Sequence, residues 1–217
     1  MKARNLPKSL SGPRLQAVIL AAGFSSRLGR PKAMARVGAQ SLLRRTIALA
    51  SGWGPAEILI VVPRRTSSYR TEARGFKVIF AANPYRADGL SSSVRRGLRK
   101  ARFSSAALLL PVDLAVLRRR DIARLISRWR ARRRCVVARR LGGGDDTPRG
   151  GVPLILPRWH YSRAQCVTGD IGLRDLVGGL PPSQRILLPL VSAALDVDTR
   201  QDLRAARRRP RAFGARL

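Results

Sequence analysis

The chain is predicted to fold as an α/β protein in three layers, with helices on both faces of a mostly parallel central sheet. Three observations predict it. Short continuous apolar runs such as "LQAVIL" and "AALLL" recur, segments with helical spacing separate them, and glycine, serine or an acid stands where the runs end. Runs that are apolar throughout suit strands covered on both faces, and strands alternating with helices suit parallel pairing through helical crossovers.

The elements follow in order. The first 14 residues carry Lys2, Arg4, Lys8 and Arg14 beside Pro7, Gly12 and Pro13, and read as a basic mobile arm. A single domain is expected over residues 15–208, with a basic tail over residues 209–217. "LQAVILAAG" is the first strand, and "QSLLRRTIALASG" is a helix with Leu42, Leu43, Ile47 and Leu49 at helical spacing. "EILIVVP" and "FKVIFAANP" are strands, "SSSVRRGLRKAR" a helix, and "SAALLLPVD" a strand ending in an acid. "RRRDIARLISRWRARR" is a helix with Ile122, Leu125, Ile126 and Trp129 on one side. "RCVVARRLGG" and "VPLILP" read as later strands that could pair, followed by the helix "IGLRDLVGG". "QRILLPL" and "ALDVDT" read as short closing strands, and a terminal helix begins at Asp202. No internal repeat is present, and the order of strands in the sheet is not readable from the sequence.

Composition narrows the function. A chain of 217 residues is long enough for one sizeable core, and with 45% hydrophobic but 5% aromatic residues that core must be aliphatic. The net charge of +32 arises from 44 basic against 12 acidic residues and needs counterions or polyanionic ligands. The arginines are spread along the chain without interleaved aromatics, so no stacking platform for single-stranded nucleic acid is formed and no specific nucleic-acid partner is expected. Cys135 and Cys166 give neither a disulfide framework nor paired zinc ligands, and fit reduced thiols in the cytoplasm. The lone His160 has no metal-ligating neighbours in sequence. No run reaches the length of a membrane span, so no membrane partner is expected.

The stretch "AVILAAGFSSRLGRPK" admits two readings at first. Basic residues before a short apolar run and small residues after it resemble a secretory signal. The recurrence of similar runs and the strand–loop–helix order favour a buried strand feeding a phosphate-holding loop. In that loop Gly23 and Gly29 permit tight turns, Ser25 and Ser26 offer hydroxyls, and Arg27 and Lys32 supply positive charge. It is neither a Walker loop nor a dinucleotide fingerprint, and a basic surface loop is the bland alternative.

Six ordered segments carry a resemblance. "LAAGFSSRLGRPK" is similar to L-A-[AG]-G-x-S-x-R-[ML]-G-x-x-K, and "NPYRADGLSSSVRRGL" to N-P-x-x-x-x-G-[LM]-x-x-S. "LLLPVDLAVL", "GVPLIL", "TGDIGLRDLV" and "LDVDTRQDL" resemble a strand ending in D-x-P, then G-x-P-x-[LF], G-D-x-G-x-R and D-[IV]-D-T-P-x-D-[LF]. These belong to the MobA-like nucleotidyltransferases, the family that includes the molybdenum cofactor cytidylyl- and guanylyltransferases. The resemblance covers roughly Ala17 to Leu203. Ala115, Val152 and Arg200 depart from it, standing where the family has proline, often histidine, and proline.

The resemblance implies a three-layer Rossmann-like nucleotidyltransferase fold and a reaction in which an acceptor phosphate attacks the α-phosphorus of CTP and pyrophosphate leaves. It implies Mg²⁺, with Asp113 as ligand at the carboxyl end of its strand and Asp198 or Asp196 as a second. The competing readings are caps: Asp113 on the following helix, the later acids on "TRQDL". Arg27, Lys32 and Asp113 are the expected catalytic residues. Leu20, Ala21, Ala22, Gly23, Ser25, Ser26, Arg27, Lys32, Asn83, Gly89, Ser91 and Ser92 are the expected nucleotide contacts, although the serines also suit an ordinary helix cap. Gly151, Pro153, Gly169, Asp170 and Arg174 fall on the acceptor side. The implied acceptor is the molybdopterin form of molybdenum cofactor, with a molybdoenzyme or chaperone as a candidate partner. CTP is expected over GTP because Ala22 stands where guanylyl-transferring members tend to carry glycine, its methyl crowding the base side of the loop. The alternatives are GTP, a sugar or polyol phosphate acceptor, and a non-catalytic basic protein that holds nucleic acid.

Overall fold

The apolar runs assemble as the alternation demands. The computed structural model describes residues 14–55, 57–142, 149–169, 171–193 and 195–208. After β1 (Leu15–Leu20) come a two-stranded hairpin, β2 (Arg36–Val37) and β3 (Gln40–Ser41), and helix α1 (Leu42–Ser51). β4 (Ile58–Val62), α2 (Ser67–Glu72), β5 (Ile79–Ala82), α3 (Leu90–Lys100) and β6 (Ala106–Pro111) complete the first half. α4 (Arg119–Ala131), β7 (Val136–Leu141), β8 (Arg149–Pro157), α5 (Tyr161–Gln165), α6 (Gly172–Gly178), β9 (Arg185–Leu188) and α7 (Arg200–Arg208) follow. The seven-stranded sheet has the order β5-β4-β1-β6-β8-β7-β9. Its pairings are parallel except those of β8, which runs against β6 and β7.

Side chains alternate across the strands, so one chain feeds two cores. Ile19, Ile60 and Leu110 pack with Leu43 and Ile47 of α1 and Ile122 and Trp129 of α4. On the other face Val18, Leu59 and Leu109 pack with Val94 and Leu98 of α3, Tyr161 of α5, and Leu173 and Val177 of α6. α3 sits very close to the sheet: a Cβ at Gly97 would lie 2.5 Å from Cγ1 of Val18. Glycine in a helix interior costs about 1 kcal/mol relative to alanine, and here close packing explains it.

Three sequence expectations are corrected. α2 is an addition to the expected elements, because only Tyr69 of its six residues is buried and it has no apolar stripe to signal a helix. "ALDVDT" is not a strand. Its Val197 amide donates to the Asp113 carbonyl at 2.9 Å, but β6 is already flanked by β1 and β8, so no free edge exists for it to join. The terminal helix starts at Arg200, two residues earlier than expected. "RCVVARRLGG" and "VPLILP" do pair, antiparallel, as β7 and β8.

Of the proposed arm, Arg14 is described, and its amide donates to Ser105 Oγ at 3.1 Å; residues 1–13 and the tail lie outside the described residues. Among the described residues no helix is long and apolar enough to cross a membrane. From β1 the chain winds to β4 and β5 on one side, then returns to β6 on the other. That reversal opens a crevice beyond the carboxyl ends of β1 and β6, the place where open α/β sheets take ligands.

Candidate active site

A cavity of about 480 Å³ occupies this crevice, floored by the ends of β1 and β6. The chain leaving β1 stays tethered, with the Ala21 amide donating to the Val61 carbonyl at 2.9 Å. It then turns through Ser25, whose φ of 56° is unusual for a residue other than glycine. The Lys32 amide donates to Ser25 Oγ at 2.9 Å, so the strained turn closes the loop on itself. Gly29, with φ of 71°, supplies the second reversal.

That closure delivers Lys32 to the end of β6. Its ammonium donates to Asp113 Oδ2 at 3.4 Å and to Asp198 Oδ1. Burial alone would lower the pKa of Lys32, but Asp113 and Asp198 outweigh it and the net direction is up. Burial pushes the Asp113 carboxyl up; Lys32 opposes this, while Asp196 and Asp198 add to it. Asp196 is itself paired with Arg139 of β7 at 3.2 Å.

Asp198 is positioned by the start of α7. Thr199 and Asp202 cap each other, the Asp202 amide donating to Thr199 Oγ1 at 3.1 Å and Asp202 Oδ2 accepting from the Thr199 amide at 2.8 Å. The same carboxylate oxygen accepts the Asp198 amide at 3.1 Å. Its bonds to the Thr199 side chain, then to backbone amides, hold Asp202 below the usual carboxylate range. The cap expected of this segment is therefore real, but Asp202 makes it and Asp198 is left to face the cavity.

Among the described residues no three metal-type side chains gather into a cage. Two carboxylates closing on one cation are nonetheless the protein share of a typical Mg²⁺ site, which substrate phosphates and water complete. The Lys32 ammonium lies between the two as a stand-in cation that both carboxylates face.

Leu20, Ala21, Ala22, Gly23, Ser25 and Lys32 line the cavity on the loop side, with Gly89 from the turn before α3. Asp113, Gly151 and Arg174 line it opposite. Ala22 borders the cavity but is 0% exposed and belongs to the core cluster of Leu20, Val94 and Leu98, so its methyl is spent on the core and not on crowding a base; that physical reason for choosing CTP is corrected. Arg27 is exposed and not among the lining residues, because the turn Ser26–Leu28 sends Leu28 into the core and Arg27 to solvent. The Ser26 side chain lies outside the described set.

Asn83, Ser91 and Ser92 support the wall and do not line it. Buried Asn83 donates to Ser92 Oγ at 2.9 Å and Ser93 Oγ at 3.1 Å, and accepts the Tyr85 amide at 3.0 Å. Ser92 donates to the Gly89 carbonyl at 2.8 Å, and Ser91 to that of Asp88 at 3.3 Å. The Ser91 amide donates to the Gly169 carbonyl at 3.2 Å, so Gly169 braces α3 from outside the cavity. Pro153 is buried in β8 beyond the lining, and Asp170 lies outside the described residues.

Ser93, in the serine run that was read as opening a helix towards the site, does line the cavity, whereas sequence reasoning missed Phe24, Arg86 and Arg139, which line it too. Phe24 is exposed and lies under the Arg86 guanidinium at 4.1 Å, a cation–π contact. Phe24 and Arg86 fall at unspecified positions of their motifs, and Arg139 reaches the site only through strand pairing.

The chain is similar to several known proteins. The chain is 40% identical over 89 residues to the bifunctional IPC transferase and DIPP synthase of Rubrobacter xylanophilus, covering 38% of this chain and 20% of that protein. It is 31% identical over 173 residues to the bifunctional enzyme IspD/IspF of Clavibacter michiganensis subsp. michiganensis, covering 79% of this chain and 41% of that one. The chain thus spans less than half the length of these curated relatives. Among solved structures, Rv0371c of Mycobacterium tuberculosis H37Rv superposes with a TM-score of 0.71 at 23% identity, covering 91% and 98% of the two chains. That protein has also been solved in complex with manganese. The 2-C-methyl-D-erythritol 4-phosphate cytidylyltransferase of Thermus thermophilus has a TM-score of 0.66 at 20% identity, covering 89% and 97%. At such identities the structures establish a shared fold. Membership rests on the model of the MobA-like NTP transferase domain, which matches residues 17–185, most of the chain and both strand ends that build the cavity; the chain belongs to that family.

Proposed function

We propose that the protein is a nucleotidyltransferase that moves CMP from CTP to the molybdopterin form of molybdenum cofactor. The observation that carries the reading is the Lys32 ammonium held between Asp113 and Asp198 beside a glycine- and serine-containing loop at the carboxyl edge of the sheet. The family and the motifs of the loop support phosphate chemistry. An oxygen of the acceptor phosphate bonds to the α-phosphorus of CTP, the bond from that phosphorus to the α–β bridging oxygen breaks, and pyrophosphate leaves with the electron pair. No bond to the enzyme forms.

The protein's share is to orient and neutralise. The backbone at Gly23 and the Lys32 ammonium face the triphosphate, Lys32 exchanging its carboxylate partners for phosphate oxygens. Gly89 and Ser93 border the base and ribose, and Arg174 and Arg139 face the acceptor phosphate. Asp113 and Asp198 would hold a divalent cation, Mg²⁺ or the manganese found with Rv0371c, which would neutralise phosphate charge. CTP preference is assigned to the Gly89–Ser93 wall, since Ala22 has no surface to offer. A molybdoenzyme or its chaperone would accept the product, and the two free cysteines support a cytoplasmic location.

The IspD/IspF relative and the erythritol-phosphate cytidylyltransferase fold favour a second reading, with a polyol phosphate as acceptor and CTP retained. Pyrophosphate release is the test, measured with Mg²⁺, each of the four ribonucleoside triphosphates, and either molybdenum cofactor or a polyol phosphate. Release with CTP and molybdenum cofactor is expected. Release only with polyol phosphate selects the second reading, and release with neither refutes both.

A further inference from the structure

We propose a second anion site, separate from the cavity at the sheet edge, that takes a chain of phosphates. It is a groove of about 340 Å³ between the turn Leu28–Arg30 and α7. Arg30, Arg200, Arg204 and Arg207 line it, over a floor of Leu28 and Leu203. Those two leucines are 2% and 4% exposed and belong to a small core beneath, so the guanidinium groups stand over apolar ground where an anion's attraction is less screened.

The row is built by helix geometry. Positions 200, 204 and 207 recur at i, i+4 and i+7 and share one face of α7, spanning about 10 Å at the usual rise per residue. That length suits several linked phosphates better than one. Gly29, in the left-handed region at φ of 71°, brings the loop against the row: a Cβ there would lie 3.6 Å from Arg200 Nη2. Arg207 donates Nε to the Arg36 carbonyl at 3.1 Å, which fixes its direction.

Among the described residues no acid answers this charge: none of the four arginines forms an ion pair with a carboxylate. The single acid of α7, Asp202, is turned back onto Thr199 and Asp198. Arginines four apart repel, and Arg200 adds positive charge at the positive end of the helix. A bound polyanion would relieve both costs. The ligand chemistry is a phosphate chain, supplied either by inorganic polyphosphate or by the triphosphate of a nucleotide.

The experiment is a calorimetric titration of the full chain with inorganic tripolyphosphate at physiological salt and without divalent cations. Arg200→Glu/Arg204→Glu is compared with Arg128→Glu/Arg130→Glu, the same charge change on exposed positions of α4. Expected for the first is loss of one binding event, or its weakening by about 10- to 100-fold, as for two charge-assisted contacts. The second should keep it. Circular dichroism checks that each variant folds, and Arg30→Glu, on the facing loop, is an independent third variant expected to weaken the same event. Equal weakening in both double variants, or none in the groove variants, overturns the proposal. A binding event lost in Lys32→Ala marks the sheet-edge cavity; competition by CTP for the Arg200-dependent event identifies a nucleotide as the source, and competition confined to the Lys32-dependent event identifies inorganic polyphosphate. If the proposed catalytic reading fails, the Lys32-dependent event disappears while the Arg200-dependent one remains.

Discussion

Replacing Lys32 by methionine should tighten the binding of a divalent cation while it impairs turnover. The Lys32 ammonium occupies the space between Asp113 and Asp198, so an incoming cation must displace it. At 3.4 Å from Asp113 the bare attraction is about 5 kcal/mol at an effective dielectric of about 20. The three side chains are 20%, 27% and 45% exposed, so solvent screens much of that. A surviving competition of about 1–2 kcal/mol corresponds to roughly 5- to 30-fold in affinity. Methionine keeps the length of the stem and removes the charge. Titration of Mn²⁺ by electron paramagnetic resonance, without nucleotide, should show tighter binding in Lys32→Met, and kcat/KM for the nucleotide should fall. Unchanged or weaker Mn²⁺ binding in a folded variant would refute the assignment of these two carboxylates.

Further outcomes are expected. Arg27→Ala should lower kcat/KM much less than Lys32→Ala, because Arg27 faces solvent; equal losses in steady-state kinetics would show that the loop rearranges around the nucleotide. Asn83→Ala leaves the Ser92 and Ser93 hydroxyls without their donor and should cost about 1–3 kcal/mol in denaturant unfolding, with KM for the nucleotide rising more than kcat falls. Gly97→Ala drives a methyl into Val18 and should destabilise by about 1–3 kcal/mol despite alanine's better helix propensity, a loss visible in a lowered Tm. His160, buried against the Arg134 carbonyl, has a pKa lowered mainly by burial. Its stabilising share is therefore present above 6.5 and is lost as pH falls through the folded-state value, so stability should decline less steeply below 6.5 in His160→Gln.

The element order was legible because apolar runs and helical spacing are local signals. "LQAVIL", "ILIVV" and "AALLL" need only their own composition to be read as buried strands, and they are three adjacent inner strands of the sheet. Asp113 was legible because it stands two residues beyond the strand that such a run forms, and Lys32 through the resemblance of its loop motif. "ALDVDT" misled because its alternation is that of a strand, and only the two occupied edges of β6 forbid it.

Composition and local pattern by themselves determined the α/β layers, the glycine- and serine-containing basic loop after β1, the basic surplus and the acid at the end of β6. Tertiary structure alone decided that Asp198, 166 residues from Lys32, shares its ammonium with Asp113, that Asn83 and Ser92 brace the wall without lining it, and that Arg139 and Arg86 reach the cavity. It also decided that Ala22 spends its methyl on the core and that Arg30 meets the arginine row of α7. The reason is geometric: a helix or strand is set by neighbours a few residues away, whereas a site is set by the order in which strands pair, which brings together residues whose local sequences carry no mark of one another.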